Sequence, residues 1–496
     1  MRVYKVIWSA VLLAGALAGQ AFGDTFPPGI TAYTADSYFV RDTLGSTNGD
    51  YSGPVNNHHI TVTPTDVSGE YDICLVFSEA ASNGNNCEAY FAAKPSSVHG
   101  AGSFSVEEMN SMSIPWPLTG ETYKTRCPAL ASDDNGNVHV TVRRVKYGNQ
   151  ANSYTALATK NAGGTWSAEK IYGSAPCGDW TQTVTAQGTI ASSRNGAWLG
   201  FSSHYYRYPR PIYGGQKSWL SRIFGYVYDN ASGTPGGDWD KIMLGGYDHT
   251  ATGYWGSACA VSENGNGIIA GYVYAFDRFP LAGYDAGSGL NFGVGTDQRD
   301  TWEFARCPFE NANCPSYDEF SFAPYVEETV AGDLAHFVWV DTSKQPHYAG
   351  YVFGTDPPKN GWSSPLELET GVSGTVYCDF PQCTVCVAEG DPPHRYLVAV
   401  FEVAAAAAAR RVYLGMWDLD DNCTPVFDAF QVAPDELWFE DPYDQKFANV
   451  CVEKTGGEDE FDIHVCWTNC VWYGGDPPYP LPGEVRYRAF HYAPPQ

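Results

Sequence analysis

Positive charge is scarce in this 496-residue chain: 29 Lys and Arg stand against 56 Asp and Glu, for a formal net charge of −27. Nucleic acid is therefore disfavoured as a partner, and an anionic ligand could bind only at a local island of basic residues. Long apolar runs are also lacking. Beyond residue 23 no stretch is apolar for long enough to cross a bilayer. Arg2 and Lys5, the apolar run Val6 to Gly19 and the small residues around Ala21-Phe22-Gly23 read as a signal peptide over residues 1–23. The mature chain, 24–496, is thus expected to be a single domain, secreted or periplasmic, and monomeric. Amphipathic helical stretches are scarce too, and the alanine run Ala404 to Ala409 is too short to form a stable helix alone. An all-β fold is the expectation.

What the chain does contain is aromatic residues, glycine, proline and 14 cysteines. In an exported protein such cysteines point to structural disulfides, with Cys74 near Cys87, Cys307 near Cys314 and Cys466 near Cys470 as sequence neighbours. The Cys383-Thr384-Val385-Cys386 spacing suits a metal knuckle, but the same compartment argument favours disulfides there. No metal and no cofactor are expected.

One pattern recurs along the chain. An apolar run, a glycine-bearing turn and a second apolar run centre on Gly69, Gly136, Gly196, Gly265, Gly332, Gly390 and Gly456, at intervals of 58 to 69 residues. A third aromatic-bearing run follows each hairpin, such as Leu220 to Tyr228 or Arg411 to Asp418. Seven such units predict a seven-bladed β-propeller with four-stranded antiparallel blades. The last unit ends on its third strand, so an N-terminal strand over Ala32 to Val40 is expected to close the ring and hide its edge.

Strand direction sorts the loops. Turns joining strands one to two and three to four share one face; loops joining two to three, and each unit to the next, share the other. The glycine turns fall on the first face, and the chemically richer segments fall on the second. From Trp180 to Tyr228 there is no Asp or Glu, and the third unit carries His204, Tyr205, Tyr206, Arg207, Arg210 and Arg222. Guanidinium groups suit carboxylates and sulfates, and aromatic rings offer faces to sugars. Arg126, Trp255 and Asp379 stand in second-face segments before the second, fourth and sixth units. Asp379 is a candidate member of a catalytic carboxylate pair.

The segment Thr159-Lys160-Asn161-Ala162-Gly163-Gly164-Thr165-Trp166 resembles the Asp box of the sialidase-like β-propeller superfamily, with Asn161 in place of the aspartate. With the seven hairpins, this resemblance covers almost the whole mature chain. It implies an extracellular glycan as partner, with Arg126 and Arg222 in a carboxylate-binding set. Thr159 and Asn161 are expected to bond backbone, and Trp166 to pack between blades. The Phe/Tyr-Arg-Ile-Pro motif of sialidases is absent; the nearest string is Arg222-Ile223-Phe224, without the proline.

In architecture the chain also resembles seven-bladed polysaccharide lyases. β-Elimination would assign His204 and Tyr206 as base and acid, with Arg207 or Arg222 neutralising a uronate. The expected function is therefore to bind, and as an enzyme to cleave, an extracellular and anionic glycan. Catalytic candidates are His204, Tyr206, Arg222 and Asp379; substrate-binding candidates are Arg126, Tyr205, Arg207, Arg210 and Trp255. A non-catalytic recognition propeller and a polysaccharide lyase stand as alternatives.

Overall fold

Strand formation follows from alternating apolar residues broken by short polar turns. The turn 133–137 shows how the breaks are made. Asp133 Oδ1 accepts the backbone N–H groups of Asn135 at 3.0 Å and Asn137 at 2.9 Å. Gly136 takes a φ of 82°, where a Cβ would lie 2.6 Å from the Pro64 carbonyl oxygen of the preceding unit. Ser262 does the same work two units further on, its Oγ accepting the backbone N–H groups of Asn264 and Asn266.

The structure is a computed structural model. It describes residues 26–34, 38–41, 59–80, 87–98, 102–117, 123–146, 149–173, 182–208, 220–229, 240–244, 252–275, 289–296, 301–306, 309, 315–355, 358–372, 376–389, 393–405, 410–433, 443–457, 459–473 and 479–495. At Arg126, and over the strands within 203–257 and 271–306, it describes the backbone alone. Residues 1–23, read as a signal peptide, lie outside this set. Among the described residues no helix is long and apolar enough to cross a membrane.

The protein is an all-β propeller. All seven hairpins pair antiparallel, from Ile60–Pro64 with Tyr71–Ala80 to Tyr443–Lys454 with Phe461–Tyr473. They do not make seven separate four-stranded blades. Five sheets of four or five strands stand alone, and the second and third units share one eight-stranded sheet. The junction is a single parallel bridge between Asn152 and Thr183, where the ends of Asn149–Lys160 and Gln182–Ser192 run side by side. The first strands of consecutive units neighbour one another around the ring, and Tyr443–Lys454 returns to Ile60–Pro64. Closure uses two short strands rather than one: Ile30–Ala32 and Tyr38–Arg41 both pair with Tyr479–Tyr492.

Hydrophobic clusters fill the seams between units. One joins Cys74 and Val76 of the first unit to Val138 and Val140 of the second, and Trp166 packs on it with its ring 5.3 Å from Phe91. Asn161 does hold its turn through backbone, its Oδ1 accepting Thr165 N–H at 2.8 Å. Thr159 instead meets a side chain, with its Oγ1 3.0 Å from His139 Nδ1. On the first face, Tyr325 of the fifth unit lies across the ring from its partners. Its hydroxyl is 3.1 Å from Ser132 Oγ, which is 2.6 Å from Thr61 Oγ1, and the Arg194 guanidinium lies 5.4 Å from its ring.

The disulfide expectation is not met among the described residues: Cys74, Cys259, Cys378, Cys383, Cys386, Cys423, Cys451 and Cys466 are buried free thiols. Burial pushes the Cys74 and Cys259 thiols up to about 12. Cys383 and Cys386 lie three apart on one strand and enter different clusters, so they form neither a knuckle nor a pair.

Two buried cations join the last unit to its neighbours, Arg488 toward the sixth unit and Lys94 of the first unit toward Tyr487. Arg488, 2% exposed, donates to the carbonyls of Val432 at 2.7 Å and Thr34 at 3.1 Å, beside the rings of Phe26 and Phe490. Arg488→Ala is expected to cost about 3 kcal/mol, because buried carbonyls lose charged donors and two rings lose their contact. Urea unfolding measures it, and unchanged stability would show that the N-terminal segment is held without this residue. Lys94 lies over the rings of Phe104 at 4.9 Å and Tyr487 at 4.3 Å, and burial lowers its pKa to about 8. An unfolded lysine keeps its proton to about 10.4. Between these values the unfolded chain binds the extra proton, so stability rises with pH from about 8 to about 10.4. Lys94→Met should lack that contribution to the rise, as read from unfolding curves across the interval.

Candidate functional site

The inner strands carry the arrangement that defines the second face. In five of them the register with the next strand slips just after a matched position: after Arg126, Thr185, Trp255, Asp379 and Lys446. Each slip is a β-bulge, which bends the strand and interrupts its pairing before the ladder resumes toward the rim. Three of the expected site residues, Arg126, Trp255 and Asp379, therefore occupy equivalent places at one end of the ring. Arg126 faces Arg143 in register, and Trp255 faces Tyr272.

Asp379 is the best defined of these. It pairs in register with Glu402, and their side chains are 7% and 0% exposed. One guanidinium spans both carboxylates: Arg410 Nη2 lies 3.0 Å from Asp379 Oδ2 and Nη1 lies 3.1 Å from Glu402 Oε2. The other oxygens are held as well. Lys344 Nζ donates to Asp379 Oδ1 at 2.6 Å, and Phe447 N–H donates to Glu402 Oε1 at 2.8 Å.

Local structure explains why these groups meet. Lys344 sits at a φ of 66° in a turn whose amides at Ser343 and Gln345 donate to Asp341 Oδ1, at 2.8 and 2.9 Å. Its carbonyl accepts Cys378 N–H at 3.1 Å, which docks the turn on the Asp379 strand. Phe447, at a φ of 55°, stands in the bulge after Lys446. Three consecutive units thus supply the cluster. Buried carboxylates in such a place require charge partners, and here both receive them.

A second charged group lies at the same end, in the first two units. Glu88 accepts from Lys124 Nζ at 2.9 Å and from Asn110 Nδ2 at 2.6 Å. Arg144 Nη1 donates to Asn110 Oδ1, and its guanidinium lies 4.5 Å from the Trp116 ring. Burial lowers the Arg144 pKa, and it raises that of Tyr154, whose hydroxyl donates to the Pro117 carbonyl at 2.6 Å. Lys124 and Arg144 are thus built into the seam.

The third-unit candidates are divided by their register. Tyr205 pairs with Arg222, and Arg207 falls on the same face of the sheet by alternation; His204 and Tyr206 fall on the opposite face, paired with Ile223 and Ser221. Arg210 lies outside the described residues. Lys344, Glu402 and Arg410 were not among the sequence candidates. Glu402 carried a signal: it is the one charged residue in the apolar run Tyr396 to Val403.

No family model matches the chain, and no curated protein matches it in sequence. Solved structures of similar fold include an α-L-arabinanase of Penicillium chrysogenum complexed with arabinobiose, at 12% identity and a TM-score of 0.42, covering 79% of this chain and 99% of that one. The parainfluenza virus 5 hemagglutinin-neuraminidase ectodomain is 9% identical, with a TM-score of 0.39 over 76% of this chain and 85% of its own. A subtype N11 neuraminidase-like protein of A/flat-faced bat/Peru is 11% identical, with a TM-score of 0.32 over 95% and 94%.

The Arg410 bridge gives a stability test. Arg410→Met leaves Glu402 and Asp379 with fewer charge partners and is expected to lower unfolding stability by about 3 kcal/mol. Glu402→Gln introduced beside it should recover part of that loss. A double variant no more stable than Arg410→Met alone would show that the Arg410–Glu402 contact is not what the first substitution removes.

Proposed function

We propose that this chain is a secreted propeller that binds an extracellular glycan at the second-face end of its ring, around Asp379. The observation that supports this reading is the matched row of bulges, with Arg126, Trp255, Asp379 and Lys446 at equivalent positions of their strands. Sugar rings bind through apolar faces on aromatic side chains and through hydroxyls on charged or polar groups. Trp255 is the candidate stacking residue, Arg126 and Lys446 are candidate polar contacts, and Asp379 positions the cations that hold its two oxygens. His204, Tyr205, Tyr206, Arg207, Arg210 and Arg222 extend the proposed surface along the third unit.

A glycan array followed by product analysis tests this. Binding is expected, and Trp255→Ala should weaken it about tenfold. New reducing ends would make the protein a hydrolase, unsaturated products would make it a lyase, and intact glycan would make it a recognition protein. Absence of binding across the array would sink the carbohydrate reading altogether.

A further inference from the structure

The cluster around Asp379 is layered by charge. Its acids lie innermost, with the side chains of Glu402 and Asp379 0% and 7% exposed. Its cations lie outermost, with those of Lys344 and Arg410 27% and 29% exposed. Arg411 adds a third cation at the same strand end, where its Nη1 donates to the Arg410 carbonyl at 3.1 Å. Among the described side chains, this end of the sixth unit thus gathers three cations, in a chain whose formal net charge is −27. A ligand arriving at this rim meets ammonium and guanidinium before it meets carboxylate.

We infer that Lys344 and Arg410, with Arg411 beside them, form a subsite for an anionic substituent, a carboxylate or a sulfate, on the bound glycan. The inference rests on the glycan reading above and adds the charge class of the ligand. Asp379 and Glu402 act here as positioning residues. They hold the two cations at fixed points contributed by consecutive units, so little side-chain freedom remains to be lost on binding. Guanidinium matches a planar carboxylate or two sulfate oxygens through paired N–H donors, and the lysine adds a point charge. The overall negative charge of the chain works against anionic ligands at long range, so the preference has to arise at this contact and weaken as salt screens it.

Titration calorimetry with matched neutral, uronate-bearing and sulfated oligosaccharides tests the subsite. Each anionic ligand class that fits should bind at least about tenfold tighter than its neutral counterpart at low salt, with the advantage shrinking in high salt. Lys344→Met and Arg410→Met should each reduce the advantage, while neutral binding falls less. Lys344→Met keeps the Arg410 bridge between the acids and so guards against a folding defect; thermal unfolding of both variants checks this. A preference for uronate over sulfate, or the reverse, identifies which anion the subsite takes. Equal binding of neutral and anionic glycans overturns the subsite and leaves the glycan reading intact. An anionic preference that survives both substitutions also overturns it, and failure of every oligosaccharide to bind removes both.

Discussion

Closure of the ring is the constraint on which the rest depends. A sheet edge left open at the last unit would expose unpaired backbone groups, and the pairing of Ile30–Ala32 and Tyr38–Arg41 with Tyr479–Tyr492 covers it. The last unit is unusual in what it buries on its two sides. Arg488 lies between the carbonyls of Val432 and Thr34 on the side of the sixth unit, and Lys94 of the first unit lies over Phe104 and Tyr487 on the other. Charges enter an interior only with partners, and their presence here ties the last unit to both neighbours by directional contacts as well as apolar packing.

The same logic, of charge placed where units meet, governs the second-face cluster. Lys344, Asp379 with Glu402, and Phe447 come from the fifth, sixth and seventh units, and each contact crosses between elements that packing alone would leave free to slide. The bulges contribute to this, because they interrupt the pairing at matched heights and bend the strands there. Scaffold and candidate site are therefore one assembly: the acids that link neighbouring units also hold Lys344 and Arg410 in place.

How much of this was legible in the sequence depended on range. Hairpins are local, and glycine turns such as Gly136 between alternating apolar runs announce them. The sharing of one sheet by the second and third units was not legible, because it turns on a lone long-range bridge between Asn152 and Thr183 that leaves no local pattern in the sequence. The closing strand was anticipated as one piece, whereas two short strands take its place. Disulfides were inferred from compartment, but strand parity puts Cys383 and Cys386 on opposite faces. Asp379 was readable from its place before the sixth hairpin. Glu402 was hidden as one residue of an apolar run, and Lys344 stands 35 residues away from the acid it meets.

Tyr325 has one more consequence. Its hydroxyl meets Ser132, Ser132 meets Thr61, and Arg194 lies against its ring, so side chains from four units converge at the first-face end of the axis. Around them the inner strands present closely buried Ser192, Ser262, Ser321 and Thr384. These contacts tie the first, second, third and fifth units directly across the ring, in addition to the packing between neighbouring units.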